Sequence, residues 1–213
     1  GGTVATLTLL GTRPEKGRWL RRGDAAPGHA LWLGGTVGES AAGALLAGRG
    51  ARLTGSRVDL PPDLGDSGGL AAAARRAVRR HLLPEPQLEL GHWLGEQREG
   101  AAMDLSDGLA RDLHRLCRES GTGAEITFET LPLPDRFIPL CERIGADPRA
   151  LALSGGEDYI LLFTLPESVE PPSRFGCRRI GTINGRGRRI VLVDQGAARD
   201  LPDTGWDHLS KMK

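Results

Sequence analysis

Two carboxylates stand three residues apart in the segment AAMDLSDGL: Asp104 and Asp107, with Ser106 between them. The apolar run Ala101 to Leu105 reads as a short strand, and the residues after Gly108 read as a helix. Asp104 therefore falls at a strand end and Asp107 at a helix start. A hard cation such as Mg²⁺ takes oxygen ligands, commonly one or two carboxylates completed by phosphate oxygens and water. A helix N-terminus also favours phosphate. The same residues suit a plain helix cap, in which Ser106 or Asp107 accepts a hydrogen bond from a first-turn N–H. The two readings coexist for Ser106 and compete for the carboxylate of Asp107.

Two further segments invite chemistry. SGGEDYI places Glu157 and Asp158 after two glycines and before a buried strand; it suits a ligand-binding strand mouth, or a tight turn with solvated acids. LGGTVGES joins a strand to a helix through glycines. That permits close approach of backbone N–H groups to a phosphate, or simply close packing of the helix. It is neither a Walker A sequence nor a G-x-G-x-x-G motif. The five histidines show no ligand spacing, and no G-x-S-x-G nucleophile signature appears. Cys117, Cys141 and Cys177 are odd in number and lack metal spacing, which suits reduced thiols in the cytoplasm.

The elements that must hold these residues follow from pattern. Thr3 to Leu10 is apolar and β-branched and predicts a strand; His29 to Leu33 predicts another. Ser40 to Ala47 is a small-residue helix able to pack close to a sheet. Gly50 to Gly69 shows no clear element and reads as a loop. Leu70 to Leu83 is a helix ending at Pro84, with Arg75, Arg76, Arg79 and Arg80 on one side, either solvated or facing phosphate. Leu88 to Gln97 is a short helix. Leu109, Leu113, Leu116 and Cys117 mark the buried face of a helix closed by Gly121. Ala124, Ile126 and Phe128 alternate as a strand. A helix at Pro148 to Leu153 precedes the strand Tyr159 to Leu165. Arg179 to Ile183 and Arg189 to Asp194 flank NGRGR and read as a hairpin. Helices alternating with strands before a closing hairpin give an α/β or α+β class with a mixed sheet flanked by helices.

Composition excludes several roles. Charged residues make up 26% of the 213 and nearly cancel to a net +1, which lacks the basic surplus of a nucleic-acid binder. Aromatics are only 4%, too few for base-stacking platforms. No stretch approaches the roughly 20 apolar residues of a membrane helix.

Taken in order, LRRGDAAPGHALWLGGTVGESAAG, MDLSDGLARDL, LPLP, ALSGGEDYILLFT and GWDH resemble the C-terminal part of thiamine-monophosphate kinases, within the aminoimidazole ribonucleotide synthetase-like superfamily. The match spans nearly the whole chain. The pair MDLSDGLARDL and ALSGGEDY carries its specificity. The resemblance implies that Asp104 and Asp107 hold Mg²⁺, that Ser106 and Arg22 contact ATP, and that Glu157 and Trp206 contact substrate. It implies transfer of the γ-phosphate of ATP onto thiamine monophosphate, in a cytoplasmic enzyme that is a homodimer when full length. It also implies two regions: residues 1–17 as the remnant of an N-terminal ATP-binding domain, and 18–213 as the C-terminal domain. The absent part would supply further acidic metal ligands, so a non-catalytic C-terminal fragment is one rival reading. Another is a superfamily relative acting on a different acceptor. One local departure stands out: Ile160 follows GGEDY where such kinases carry a second glutamate, altering either substrate positioning or local packing.

Overall fold

The computed structural model describes residues 5–12, 18–64, 69–185 and 187–206. Its strands are β1 (Ala30–Leu33), β2 (Arg52–Thr54), β3 (Arg57–Asp59), β4 (Ala101–Asp104), β5 (Gly123–Thr127), β6 (Leu161–Leu165), β7 (Arg178–Asn184), β8 (Ile190–Asp194) and β9 (Ala197–Asp200). Its α-helices are α1 (Glu39–Gly48), α2 (Leu70–Leu82), α3 (Leu88–Gly95), α4 (Leu109–Ser120), α5 (Phe137–Arg143) and α6 (Pro148–Ser154). Seven strands form one sheet in the order β4-β6-β1-β7-β5-β8-β9. Neighbours are antiparallel except β5 and β8, which are parallel. The sheet is thus mixed, as expected.

Burial on both faces explains why the central strands read as nearly unbroken apolar runs. Leu31 and Leu33 of β1 and Leu162 of β6 join Leu46, Val78, Leu113 and Leu116 in the main core. Trp32, Phe163 and Leu165 point to the opposite face, against Leu90 and Leu94 of α3. The period of two along each strand separates the sets. Ile160, fully buried, belongs to the main core. Its position therefore serves packing, where a carboxylate would be left without solvent.

Helix α1 lies closer to α2 than its small residues suggested. A Cβ on Gly43 would sit 2.1 Å from the Ala77 carbonyl oxygen and 2.9 Å from the His81 Cβ. Only glycine allows that approach, which carries the last turn of α2 toward the loop at 157–158.

Four sequence expectations fail. The stretch Gly50 to Gly69 contains the β2–β3 hairpin, which turns at Gly55 with φ 59°. The strands near NGRGR exist as β7 and β8 but do not pair with each other, because β5 lies between them. Glycines admit it: a Cβ on Gly181 would lie 2.0 Å from the Glu125 carbonyl oxygen, and one on Gly123 2.3 Å from that of Arg189. The real closing hairpin is β8–β9, where Gln195 and Gly196 both take positive φ, 51° and 78°, as tight two-residue turns demand. The third failure is the strand expected from Thr3 to Leu10. Residues 5–12 form no strand, and Leu7, Leu9 and Leu10 are exposed. A strand needs a neighbour to hydrogen-bond, and the described residues supply none here; Thr3 and Val4 lie outside them. Phe128, read as the end of β5, begins a 3₁₀ turn (Phe128–Thr130). Among the described residues, no helix is long and apolar enough to cross a membrane.

Candidate functional site

Strand β4 ends at Asp104, which is exposed. The chain leaves the sheet through Leu105, Ser106, Asp107 and Gly108 and enters α4. Gly108 is the N-cap, with φ 107°, and no side chain caps the helix. The cap reading for Ser106 and Asp107 therefore fails. The acid that satisfies this loop comes from inside α4. Asp112, fully buried, accepts hydrogen bonds from the N–H groups of Ser106 and Asp107, both at 2.9 Å. Burial raises its pKa, against those two bonds and the charge of Arg115. Arg115 donates to Asp112 at 2.8 Å and to Asp107 at 2.9 Å. One guanidinium thus ties the buried anchor to the candidate ligand.

The SGGEDY loop is laid alongside this one. The Leu105 N–H donates to the Ile160 carbonyl, the Tyr159 N–H to Leu105, and the Glu157 N–H to Ser106, each at 2.8 Å. These bonds continue the β4–β6 ladder beyond its strands. Close contact requires glycine: a Cβ on Gly156 would lie 2.8 Å from the Ser106 carbonyl oxygen. Glu157 and Tyr159 both adopt left-handed backbone, φ 65° and 47°, a strained state for non-glycine residues held by surrounding bonds. Burial raises the Tyr159 hydroxyl above its ordinary pKa, helped by the charges of Glu157, Asp104 and Asp107.

Between these residues, Asp158 turns inward. It is buried and accepts from the Gly38 N–H at 2.8 Å and the Ser40 N–H at 3.1 Å. Burial pushes its pKa up to about 7 despite both bonds. The start of α1 thus holds a carboxylate of the protein itself. The glycines of LGGTVGES serve packing: a Cβ on Gly34 would meet Gln87 at 2.6 Å, and one on Gly38 would meet Phe137 at 2.8 Å. Glu157 faces α2, its carboxylate 3.2 Å from the Nδ1 of His81.

Trp206 arrives from the far end of the chain. Its N–H donates to the Asp107 carbonyl at 2.9 Å, and its own carbonyl accepts from Arg111 at 2.5 Å. Main-chain atoms thus dock this segment, while Trp206 remains 45% exposed. Its Cβ lies 3.5 Å from where a Cβ on Gly156 would stand, so Trp206 adjoins the residue before Glu157. Asp207 and His208 of GWDH lie outside the described residues.

Arg22 is not part of this cluster. It pairs with Glu119 at 2.9 Å, and its carbonyl accepts from the Ser120 hydroxyl, both at the C-terminal end of α4. The 12 residues of that helix put about 18 Å between Arg22 and the acidic loop. Its Nε is buried with no hydrogen-bond partner. Three of the α2 arginines are structural ties: Arg76 binds Glu39, Arg79 the Ser56 carbonyl, and Arg80 the Asp158 carbonyl. They border a cavity of about 320 Å³ that also takes in Thr36 and Gln87.

Strand end and helix start thus carry Asp104 and Asp107 on one short loop, alongside the loop of Glu157 and the segment of Trp206. Among the described residues, no group of three or more His, Cys, Asp or Glu is placed to hold a metal. Two carboxylates nonetheless fit Mg²⁺, which takes one or two from protein and the rest from phosphate and water. The thiols offer no covalent alternative: all three are free, and burial pushes Cys117 up to about 12. Sequence reasoning missed Asp112, Arg115 and His81. An acid in the first turn of α4 was the available signal for Asp112; His81 had none, since its partners are distant in sequence.

No protein-family model matches the chain. Curated relatives do. The thiamine-monophosphate kinase of Salmonella typhimurium is 40% identical over 170 residues, which are 78% of this chain and 46% of that protein. That of Aquifex aeolicus is 32% identical over 213 residues, 98% of this chain and 62% of that protein. A solved structure of AaThiL complexed with AMPPCP and TMP superposes with a TM-score of 0.69 at 31% identity, covering 90% of this chain and 54% of that one. Hydrogenase maturation protein HypE shares the fold alone, at 20% identity and a TM-score of 0.56. The chain is thus homologous to thiamine-monophosphate kinases over most of its own length, and it spans about half to three-fifths of theirs.

Proposed function

We propose that this chain, a relative of the thiamine-monophosphate kinases, is the C-terminal part of an enzyme that transfers the γ-phosphate of ATP to thiamine monophosphate, giving thiamine diphosphate. The observation that carries the reading is the locked pair of loops, 104–108 and 154–159, whose backbone bonds set Glu157 against Ser106, between Asp104 and Asp107 in sequence. It is supported by the kinship with a protein whose structure holds an ATP analogue and TMP.

In this reading Asp104 and Asp107 hold Mg²⁺, which neutralises the facing phosphates when bound. Ser106 binds ATP beside them. Arg22 binds ATP from the other end of α4, where its buried Nε lacks an acceptor. Glu157 and Trp206 take the thiamine end of the substrate, a carboxylate and a ring face for a cationic, flat heterocycle. The nucleophile is already an anionic phosphate, so alignment and charge neutralisation suffice and no general base is required. The remaining acidic ligands come from the part of such kinases that the chain does not span. Residues 1–17 belong to that N-terminal ATP-binding region and 18–213 to the C-terminal domain of a cytoplasmic homodimer.

ADP release in a coupled assay tests this. A reading frame that continues upstream of Gly1 and encodes the acidic motifs is expected to give turnover with thiamine monophosphate. The 213-residue chain alone is expected to give negligible turnover. ADP release with another acceptor but not with thiamine monophosphate overturns the substrate. Turnover of about 1–10³ s⁻¹ by the chain alone shows the catalytic residues to be misplaced.

A further inference from the structure

Glu157 needs more than its own backbone to aim its carboxylate. It is 49% exposed on a loop with left-handed φ, and an unrestrained glutamate samples many rotamers. The last turn of α2 restrains it. Arg80 donates to the Asp158 carbonyl at 3.0 Å, gripping the main chain of the loop. His81, 20% exposed, puts Nδ1 3.2 Å from the Glu157 carboxylate and 3.1 Å from the hydroxyl of Ser40. Ser40 is fully buried on α1, and the Gly43–Ala77 contact sets the distance between α1 and α2. The histidine ring is therefore fixed from two helices before it meets the loop.

An ionised carboxylate only accepts, so the 3.2 Å approach of Nδ1 to Glu157 is attractive when that nitrogen carries the proton. Ser40 Oγ then accepts from the same N–H or lies beside it. We propose that His81 is a positioning residue for Glu157: it holds the carboxylate in the orientation that receives the cationic or hydrogen-bond-donating end of the substrate. This rests on the substrate role proposed above for Glu157. The polar contacts of His81 are with Ser40 and Glu157, so its effect is expected on the substrate that Glu157 receives.

Two measurements test it. In protein labelled with ¹⁵N-histidine, the His81 ring is expected to show a protonated Nδ1 whose signal moves in Glu157→Gln. A ring protonated only at Nε2 overturns the proposal, whatever the substrate. In the active full-length protein, His81→Leu is expected to raise KM for thiamine monophosphate by about 3- to 10-fold, a modest loss for a half-exposed charged bond. The KM for ATP should hold. His81→Asn, which keeps a donor near the Nδ1 position, is expected to restore most of the loss. Equal changes in both KM values, or no rescue by Asn, overturn it. If the wild type uses a different acceptor, the function proposed above fails, while the nitrogen signals still decide the positioning claim.

Discussion

Two acids, Asp107 in the loop and Asp112 in the first turn of α4, should respond oppositely to mutation. Asp112 is fully buried and accepts two loop N–H groups at 2.9 Å and Arg115 at 2.8 Å. Asp112→Ala leaves all three donors without that acceptor. Breaking a buried charge pair costs about 3–5 kcal/mol, or roughly 6–20 °C in Tm for a chain of this size. Asp107 has a side chain 15% exposed and caps no helix. In Asp107→Asn the amide oxygen still accepts from Arg115, so the loss of Tm should be smaller than in Asp112→Ala. Cation binding should reverse the ranking. Asp107→Asn is expected to weaken Mg²⁺ binding by about tenfold or more, the scale seen when a metal site loses part of its support. Thermal melts and Mg²⁺ titration calorimetry on the full-length protein measure both quantities, with kinase activity falling alongside affinity. If Asp107→Asn lowers Tm as much as Asp112→Ala while Mg²⁺ affinity holds, Asp107 is structural and the cation assignment is refuted.

Asp158 gives a pH test. Its pKa rises from 3.8 to about 7 on folding, so the native state holds the extra proton between those values. Its contribution is full below about pH 4 and is lost as pH rises through about 7, up to about 4 kcal/mol in order of magnitude. Melts from pH 5 to 8 should therefore show a fall in wild type that Asp158→Asn flattens; parallel curves would rule the linkage out. Trp206→Ala should raise KM for thiamine monophosphate and spare that for ATP, while Arg22→Ala does the reverse. Because the main-chain bonds of Trp206 survive the substitution, the segment should stay docked. A drop in Tm with both KM values rising would make Trp206 only a tether for the C-terminal segment.

Much of the site was legible in the sequence because its geometry is local. Asp104, Ser106 and Asp107 fall at a strand-to-helix junction, and the 3.6-residue repeat of Leu109, Leu113, Leu116 and Cys117 is enough to place α4. The strand at Leu161 and the helix at Pro148 follow from similarly short windows, and the mixed sheet follows from their alternation. Ile160 is ambiguous in sequence, and in the fold it is fully buried, its Cγ2 2.9 Å from where a Cβ on Gly35 would stand. What sequence alone could not decide were contacts between distant residues. Asp158 meets Gly38 and Ser40 across about 120 positions, and His81 meets Glu157 across 76. Asp107 and Trp206 meet across 99. The order of the sheet is of the same kind: β7 and β8 are neighbours in sequence, yet β5 fits between them because Gly181 and Gly123 leave room for its backbone. Propensity and periodicity report how a segment buries its own face. Which other segment covers that face is settled by packing and by satisfying buried donors, and only the folded chain carries that information.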